Sequence, residues 1–321
     1  MRIILLEPRG FCAGVNRAVQ SLDLALSRFG PPVYVYHEIV HNRWVVDEFL
    51  KKGAVFVESL DKVPSGSVLL YSAHGVSPAV RAESEAQGLR AIDATCPLVT
   101  KVHAEAIRLA GEGRTVFLIG HEGHDEVVGT MGEAPDAIIL VRSEQDVENL
   151  SEPPTERTAY LTQTTLSIID ARRIVKRLES RFPGIVGPPT QDICYATYNR
   201  QTAVRQIAPE ADVVLVVGSR NSSNSKRLAE IARECGSQAY LVDGPDDIVY
   251  ERFSQGDTVV VTAGASAPEY VVGACVDKLI ARFESTVETR RTCEEEEMRF
   301  KLPEMGPRGP RTSAREKEDG S

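Results

Sequence analysis

What this chain of 321 residues does without narrows its possibilities. No stretch is apolar for long enough to span a bilayer. No secretory leader pattern opens it, since Met1-Arg2 runs straight into a strand-like segment. The expectation is a cytoplasmic globular protein that needs no membrane. Basic residues are not in excess: 37 Lys and Arg stand against 46 Asp and Glu, for a net charge of −9. That balance argues against a general nucleic-acid footprint, and any anionic ligand must find local positive potential. None of the six cysteines, at 12, 96, 194, 235, 275 and 293, forms a CxxC pair. In a large cytosolic chain a disulfide framework is not expected either.

What is present is a repeated alternation of short apolar runs and helical patterns, long enough in total for two or three lobes with real cores. Ile3-Ile4-Leu5-Leu6 reads as a buried strand, and Val15, Val19, Leu22 and Leu26 recur at helical spacing. Between them lies Pro8-Arg9-Gly10-Phe11-Cys12-Ala13-Gly14. Cys12 therefore sits in a glycine-flanked turn between a strand's end and a helix's start. Free backbone N–H groups and the helix dipole favour a thiolate there. Cys96 repeats this setting after Ala91-Ile92-Asp93, with Pro97 suited to the first turn of the next helix. Cys194 occupies a third turn, ahead of a helix expected from about Asn199 to Ala208. Cys235 and Cys275 share helix faces with apolar residues and read as core. Cys293 lies in an acidic stretch and is given no chemistry.

The same reading divides the chain into a first α/β lobe over 1–96 with the N-terminal strand and Cys12 turn, a second over 97–193, a third over 194–284, and a disordered tail over 285–321. Strand-then-helix alternation implies mainly parallel sheets, whose ligands bind beyond the carboxyl ends of the strands. The polar turns all follow strands and should converge on one crevice if the lobes face one another.

Three turn cysteines that met could hold iron–sulfur or zinc, and spacings of 84 and 98 residues cannot decide between them. His41, His74 and His124 lie near strand ends or in polar turns, where a histidine taken alone is usually a surface or satisfied core residue. His37, His103 and His121 are left to that ordinary reading. Ser222, Ser223, Asn224 and Ser266 sit at helix starts, where they could cap the helix or bind phosphate. Glu126, in a histidine-rich glycine loop, is either a solvated charge or a proton donor. Thr164 and Thr165 could cap a helix or hold a substrate hydroxyl.

Nine motifs in register carry a resemblance. Arg9-Gly10-Phe11-Cys12-Ala13-Gly14-Val15, His41-Asn42, His74-Gly75, Asp93-Ala94-Thr95-Cys96-Pro97, Gly120-His121-Glu122-Gly123-His124, Thr162-Gln163-Thr164-Thr165-Leu166-Ser167, Asp192-Ile193-Cys194-Tyr195-Ala196-Thr197, Ser222-Ser223-Asn224-Ser225 and Gly264-Ala265-Ser266-Ala267-Pro268 occur in that order. Over about residues 1–283 the chain resembles the 4-hydroxy-3-methylbut-2-enyl diphosphate reductase family. The resemblance implies a trefoil of three α/β lobes around a central, oxygen-sensitive [4Fe-4S] cluster. It implies Cys12, Cys96 and Cys194 as cluster ligands. His41, His74, His124, Ser222, Ser223, Asn224 and Ser266 would hold an allylic diphosphate. Glu126 would be the proton donor, with Thr164 or Thr165 at the substrate hydroxyl. The implied reaction is reductive dehydroxylation to isopentenyl and dimethylallyl diphosphate, the last step of the methylerythritol phosphate route of isoprenoid synthesis. Its implied electron donor is a ferredoxin or flavodoxin. Asp125 stands where the family frequently has proline, and the tail is long. A non-catalytic iron–sulfur redox protein and a zinc-dependent phosphate-ester hydrolase are the rival readings.

Overall fold

The computed structural model describes residues 1–153, 155–295 and 298–306. Twelve strands appear among the described residues. They are β1 (Arg2–Glu7), β2 (Val33–Tyr36), β3 (Ala54–Val57), β4 (Val68–Tyr71), β5 (Arg90–Asp93), β6 (Thr115–Ile119), β7 (Ile138–Val141), β8 (Thr158–Thr162), β9 (Val213–Val217), β10 (Gln238–Val242), β11 (Thr258–Ala263) and β12 (Thr286–Arg291). They form three sheets, ordered β3-β2-β4-β5, β7-β6-β8 and β10-β9-β11-β1-β12. Every pairing is parallel.

Ten α-helices connect them: α1 (Ala13–Phe29), α2 (Arg43–Lys51), α3 (Pro78–Ala86), α4 (Pro97–Gly111), α5 (Asp125–Glu133), α6 (Glu144–Asn149), α7 (Ile168–Arg181), α8 (Tyr195–Ile207), α9 (Ser223–Glu234) and α10 (Glu269–Arg282). Parallel sheets must be covered on both faces, and each sheet here has an apolar cluster on either side. In the largest, Ile3, Leu215 and Val261 point to one face and Ile4, Val214 and Val260 to the other. Runs such as Val213 to Val217 are therefore buried throughout.

Three departures from the sequence reading matter. The N-terminal strand does not join the first lobe. β1 pairs between β11 and β12, in the third lobe's sheet, while α1 packs with the first lobe. Ile3, Ile4 and Leu6 are fully buried, as suits a strand inside a parallel sheet with apolar clusters packed on both faces. Secondly, residues 286–291, expected as tail, form edge strand β12. Its sequence, Thr-Val-Glu-Thr-Arg-Arg, is almost wholly exposed and polar, as edge strands tend to be, so no apolar pattern announces it. Residues 292–295 and 298–306 continue back across the molecule, and 307–321 of the expected tail lie outside the described residues. Thirdly, α8 starts at Tyr195 rather than Asn199, because Cys194 is its N-cap and its sulfur accepts from Thr197 N–H at 3.4 Å. No helix among the described residues is long and apolar enough to cross a membrane.

Candidate active site

The carboxyl ends of strands from all three sheets deliver polar turns to one cavity. Cys12 follows β1, His41 follows β2, His74 follows β4 and Cys96 follows β5. His124 and Glu126 follow β6, and Thr164 and Thr165 follow β8. Ser222 to Asn224 follow β9, and Ser266 follows β11. All of these, together with Cys194, line the same cavity. The sequence reading named thirteen candidates there, and every one faces that space. Among the described residues lining it there is no Lys or Arg.

Each of the three cysteines is the N-cap of a helix: Cys12 of α1, Cys96 of α4 and Cys194 of α8. Their turns are pinned by backbone bonds, from Cys12 N–H to Ala265 O, Cys96 N–H to Ala73 O and Cys194 N–H to Thr164 O. Gly14 makes the approach possible. A Cβ there would stand 2.6 Å from the Cys96 sulfur and 3.9 Å from that of Cys12. No side chain larger than hydrogen fits. Contrary to the expectation of a thiolate-favouring site, burial pushes the Cys96 thiol up to about 12 and that of Cys194 up to about 11, with the Cys12 sulfur adding repulsion. Desolvation and clustering outweigh the helix termini. A cationic group bound to these sulfurs would reverse that balance, because a coordinated thiol is deprotonated outright. The donor set therefore fits a metal centre. Among the described residues the three sulfurs are not all within 4.8 Å of one another.

Across the cavity, Glu126 is 2% exposed. Its Oε1 accepts from Thr164 N–H at 2.6 Å and its Oε2 from the Thr164 hydroxyl at 3.0 Å. Burial raises its carboxyl to about 7, against the lowering effect of those two bonds. The Thr165 hydroxyl instead accepts from the Gln163 side chain at 2.8 Å.

His41 and His74 stack with ring centroids 4.0 Å apart, and His124 stands edge-on to both, at 5.4 and 5.8 Å. Glu38 Oε2 lies 3.2 Å from His41 Nδ1 and helps fix that ring. His124 caps α5, its Nδ1 accepting from Glu126 N–H at 3.2 Å. Burial, and the neighbouring histidines after it, hold His74 well below the ordinary histidine range and His124 down to about 4. The His74 and His124 rings are therefore poised as neutral donors and acceptors.

Ser222 caps α9 through Ser225 N–H, and the Ser266 hydroxyl donates to His41 O at 2.9 Å. The buried Asn224 amide has neither its Nδ2 nor its Oδ1 partnered among the described residues. A buried amide left so costs stability, and a ligand supplying both an acceptor and a donor would relieve it.

Three contacts were not foreseen. His37, left to the ordinary reading, bonds through Nδ1 to Asp125 Oδ1 at 2.7 Å, and its ring is raised mainly by that bond. Asp125 Oδ2 in turn lies 3.9 Å from His41 Nε2 and 3.8 Å from His74 Nδ1. The signal in the sequence was the His124-Asp125-Glu126 run, but residue 37 is 88 positions away from its partner.

The LytB protein family model matches residues 3–280. A 4-hydroxy-3-methylbut-2-enyl diphosphate reductase of Rhodopirellula baltica is 60% identical over 303 residues, 94% of this chain and 95% of that one. Among solved structures, the E-1-hydroxy-2-methyl-but-2-enyl-4-diphosphate reductase of Plasmodium falciparum superposes with a TM-score of 0.91 at 40% identity, covering 94% of this chain and 95% of its own. A second, described as (E)-4-hydroxy-3-methyl-but-2-enyl diphosphate reductase, the terminal enzyme of the non-mevalonate pathway, gives 0.63 at 30% identity, covering 88% and 100%. With strand ends, cysteine turns and cavity disposed as above, the chain belongs to the LytB family, that of the 4-hydroxy-3-methylbut-2-enyl diphosphate reductases.

Proposed function

We propose that this chain removes the allylic hydroxyl of (E)-4-hydroxy-3-methylbut-2-enyl diphosphate reductively, giving isopentenyl and dimethylallyl diphosphate as the terminal step of the non-mevalonate pathway. The observation that carries the reading is the meeting of three helix-capping cysteines, a protonatable buried glutamic acid and a histidine–serine–asparagine pocket in one cavity.

Cys12, Cys96 and Cys194 would hold a [4Fe-4S] cluster. A lone tetrahedral zinc, with sulfur bonds of about 2.3 Å, would draw thiolates to about 3.8 Å from one another. The three sulfurs do not form so tight a set, which suits the larger cluster better than one zinc ion. When bound, the cluster supplies two electrons singly to the substrate, a ferredoxin or flavodoxin being the reading for their source. The diphosphate would lie on His41, His74, His124, Ser222, Ser223, Asn224 and Ser266. With no Lys or Arg in the lining, its charge is met by imidazole, hydroxyl, amide and helix-terminal N–H donors.

Hydroxide is a poor leaving group. Glu126, protonated, gives its proton to the departing oxygen directly or through the Thr164 hydroxyl, and the oxygen leaves as water. A second proton goes to either end of the allylic system, which accounts for two products. The sum is substrate, two electrons and two protons in, and one isopentenyl or dimethylallyl diphosphate and one water out. An iron–sulfur protein that only carries electrons would have no use for the histidine–asparagine pocket.

The test is anaerobic purification with an iron and sulfide count, then turnover with a chemical reductant and chromatographic identification of both products. A protein that is colourless and zinc-loaded, or brown but inert towards the substrate, would reject the assignment.

A further inference from the structure

We propose that residues 292–295 and 298–306 act as a clasp on the three cysteine turns, worked through Arg17 and Arg200, and that this clasp governs how firmly the metal centre is retained. The inference rests on the reading that Cys12, Cys96 and Cys194 hold an iron–sulfur group.

The two arginines connect everything involved. Arg17 lies on α1, five residues after Cys12. Its Nη1 donates to Thr95 O at 2.7 Å, on the residue before Cys96, and its Nη2 to Asp93 O at 3.2 Å. Its third donor, Nε, goes to Lys301 O at 2.9 Å. Arg200 lies on α8, six residues after Cys194, and is fully buried. Its Nη2 donates to Gly10 O at 2.7 Å, two residues before Cys12, and its Nη1 to Ala196 O at 3.1 Å, two residues after Cys194. The same Nη1 meets Glu295 Oε1 at 3.1 Å. Each cysteine turn is thus tied through a carbonyl to one guanidinium, and each guanidinium has the C-terminal segment as a further acceptor.

Glu295 matters beyond its one bond. A fully buried guanidinium without a counter-charge is costly, and Glu295 is the carboxylate that Arg200 meets. The segment is anchored at both ends as well. Thr292 donates to Glu7 O from its N–H and its hydroxyl, beside β1. Met305 is buried in the first lobe's core, and Gly306 O accepts from Arg28 Nη2 at 2.5 Å. The strap therefore runs from the five-stranded sheet to the first lobe and passes both arginines on the way.

The three cysteines reach the centre on separate turns. A group held by all three is retained only while those turns keep their spacing, and charge-assisted bonds to their carbonyls resist their separation. Coupling of this kind is reciprocal: a bound centre must in turn hold the strap down.

The experiment uses the full chain, purified with its iron under argon. Iron transfer to a ferrous chelator is timed for the wild type, Arg17→Gln and Glu295→Gln, with far-UV circular dichroism and melting of the cluster-free proteins recorded alongside. Both variants should release iron about tenfold faster or more, Arg17→Gln by losing its charge-assisted bonds and Glu295→Gln by leaving the buried guanidinium without its counter-charge, with the dichroism unchanged. Arg17→Lys should recover little, since one ammonium cannot span three carbonyls. Trypsin cleavage after Lys301, which needs no variant, should be faster in cluster-free than in loaded wild type. Wild-type release rates in both variants would overturn the clasp, as would equal cleavage of loaded and cluster-free protein. A chain that takes up no iron overturns the reading beneath it, and the clasp with it.

Discussion

Glu126 and Thr164 form a closed pair: the threonine's N–H donates to one carboxylate oxygen at 2.6 Å and its hydroxyl to the other at 3.0 Å. The pair joins the first turn of α5 to the loop after β8. Both residues line the cavity. Because burial raises the Glu126 carboxyl to about 7, the acid is protonated below that value and ionised above it.

Turnover should therefore fall as pH rises through about 7. The measurement is kcat against pH with a chemical reductant, so that no protein donor contributes its own titration. Glu126→Gln keeps the shape but has no acidic proton. Its turnover should drop by about 10²- to 10⁴-fold, with iron content unchanged. Wild-type turnover in that variant would remove the acid role.

The cysteines divide into two groups. Cys12→Ser, Cys96→Ser and Cys194→Ser should each lose iron and activity while keeping the fold. Cys275 is fully buried in the core of the largest sheet, and Cys235 packs half-buried against its other face. Cys275→Ser should keep its iron but lose about 1–3 kcal/mol of stability to a hydroxyl in an apolar core. Iron per chain and melting temperature, measured together on all four variants, check the division. Equal iron in Cys12→Ser and Cys275→Ser would contradict it.

Asn224 trades stability for binding. Its amide is buried with both polar atoms unpartnered, so Asn224→Leu, close in volume, should raise the melting temperature of the ligand-free protein. The same change should weaken substrate binding about tenfold or more, since an unmet phosphate oxygen loses its donor. Melting curves with and without substrate read both effects. A variant neither stabilised nor weakened in binding would show that the amide serves another purpose.

Diphosphate binding should take up protons. His74 and His124 are held below the ordinary histidine range in the free protein, chiefly by burial, and a bound anion favours their imidazolium forms. A group whose pKa rises on binding supports affinity at low pH and loses that support as pH climbs through the bound-state value. The dissociation constant should therefore increase between about pH 5.5 and 8.5, around the reference histidine pKa. Calorimetry in buffers of different ionisation enthalpy counts the protons. A constant affinity with no proton uptake would refute the arrangement.

Much of this molecule was legible in the residues. The strand and helix alternation, the parallel sheets, the glycine beside Cys12 and the set of polar turns all follow from apolar periodicity and turn chemistry, which are local. The placement of Cys235 and Cys275 was legible for the same reason, since helical spacing put each with its apolar neighbours. Partners across the lobes were not. β1 sits in the third lobe's sheet although it opens the chain, and β12 completes that sheet from a stretch with no apolar signature. His37 finds Asp125, and Arg200 finds Gly10, across 88 and 190 positions, and a spacing of that length carries no periodicity to read.

The division has a physical basis. Hydrophobic spacing, capping residues and glycine turns act within a few residues, so the order of elements and the identity of the candidate side chains are properties of the chain itself. Desolvation, charge pairing and sheet neighbours depend on what is brought alongside. Only the assembled structure could raise Glu126 to about 7, keep His124 neutral, oppose the expected thiolates at Cys96 and Cys194 and draw the C-terminal segment over the cysteine turns.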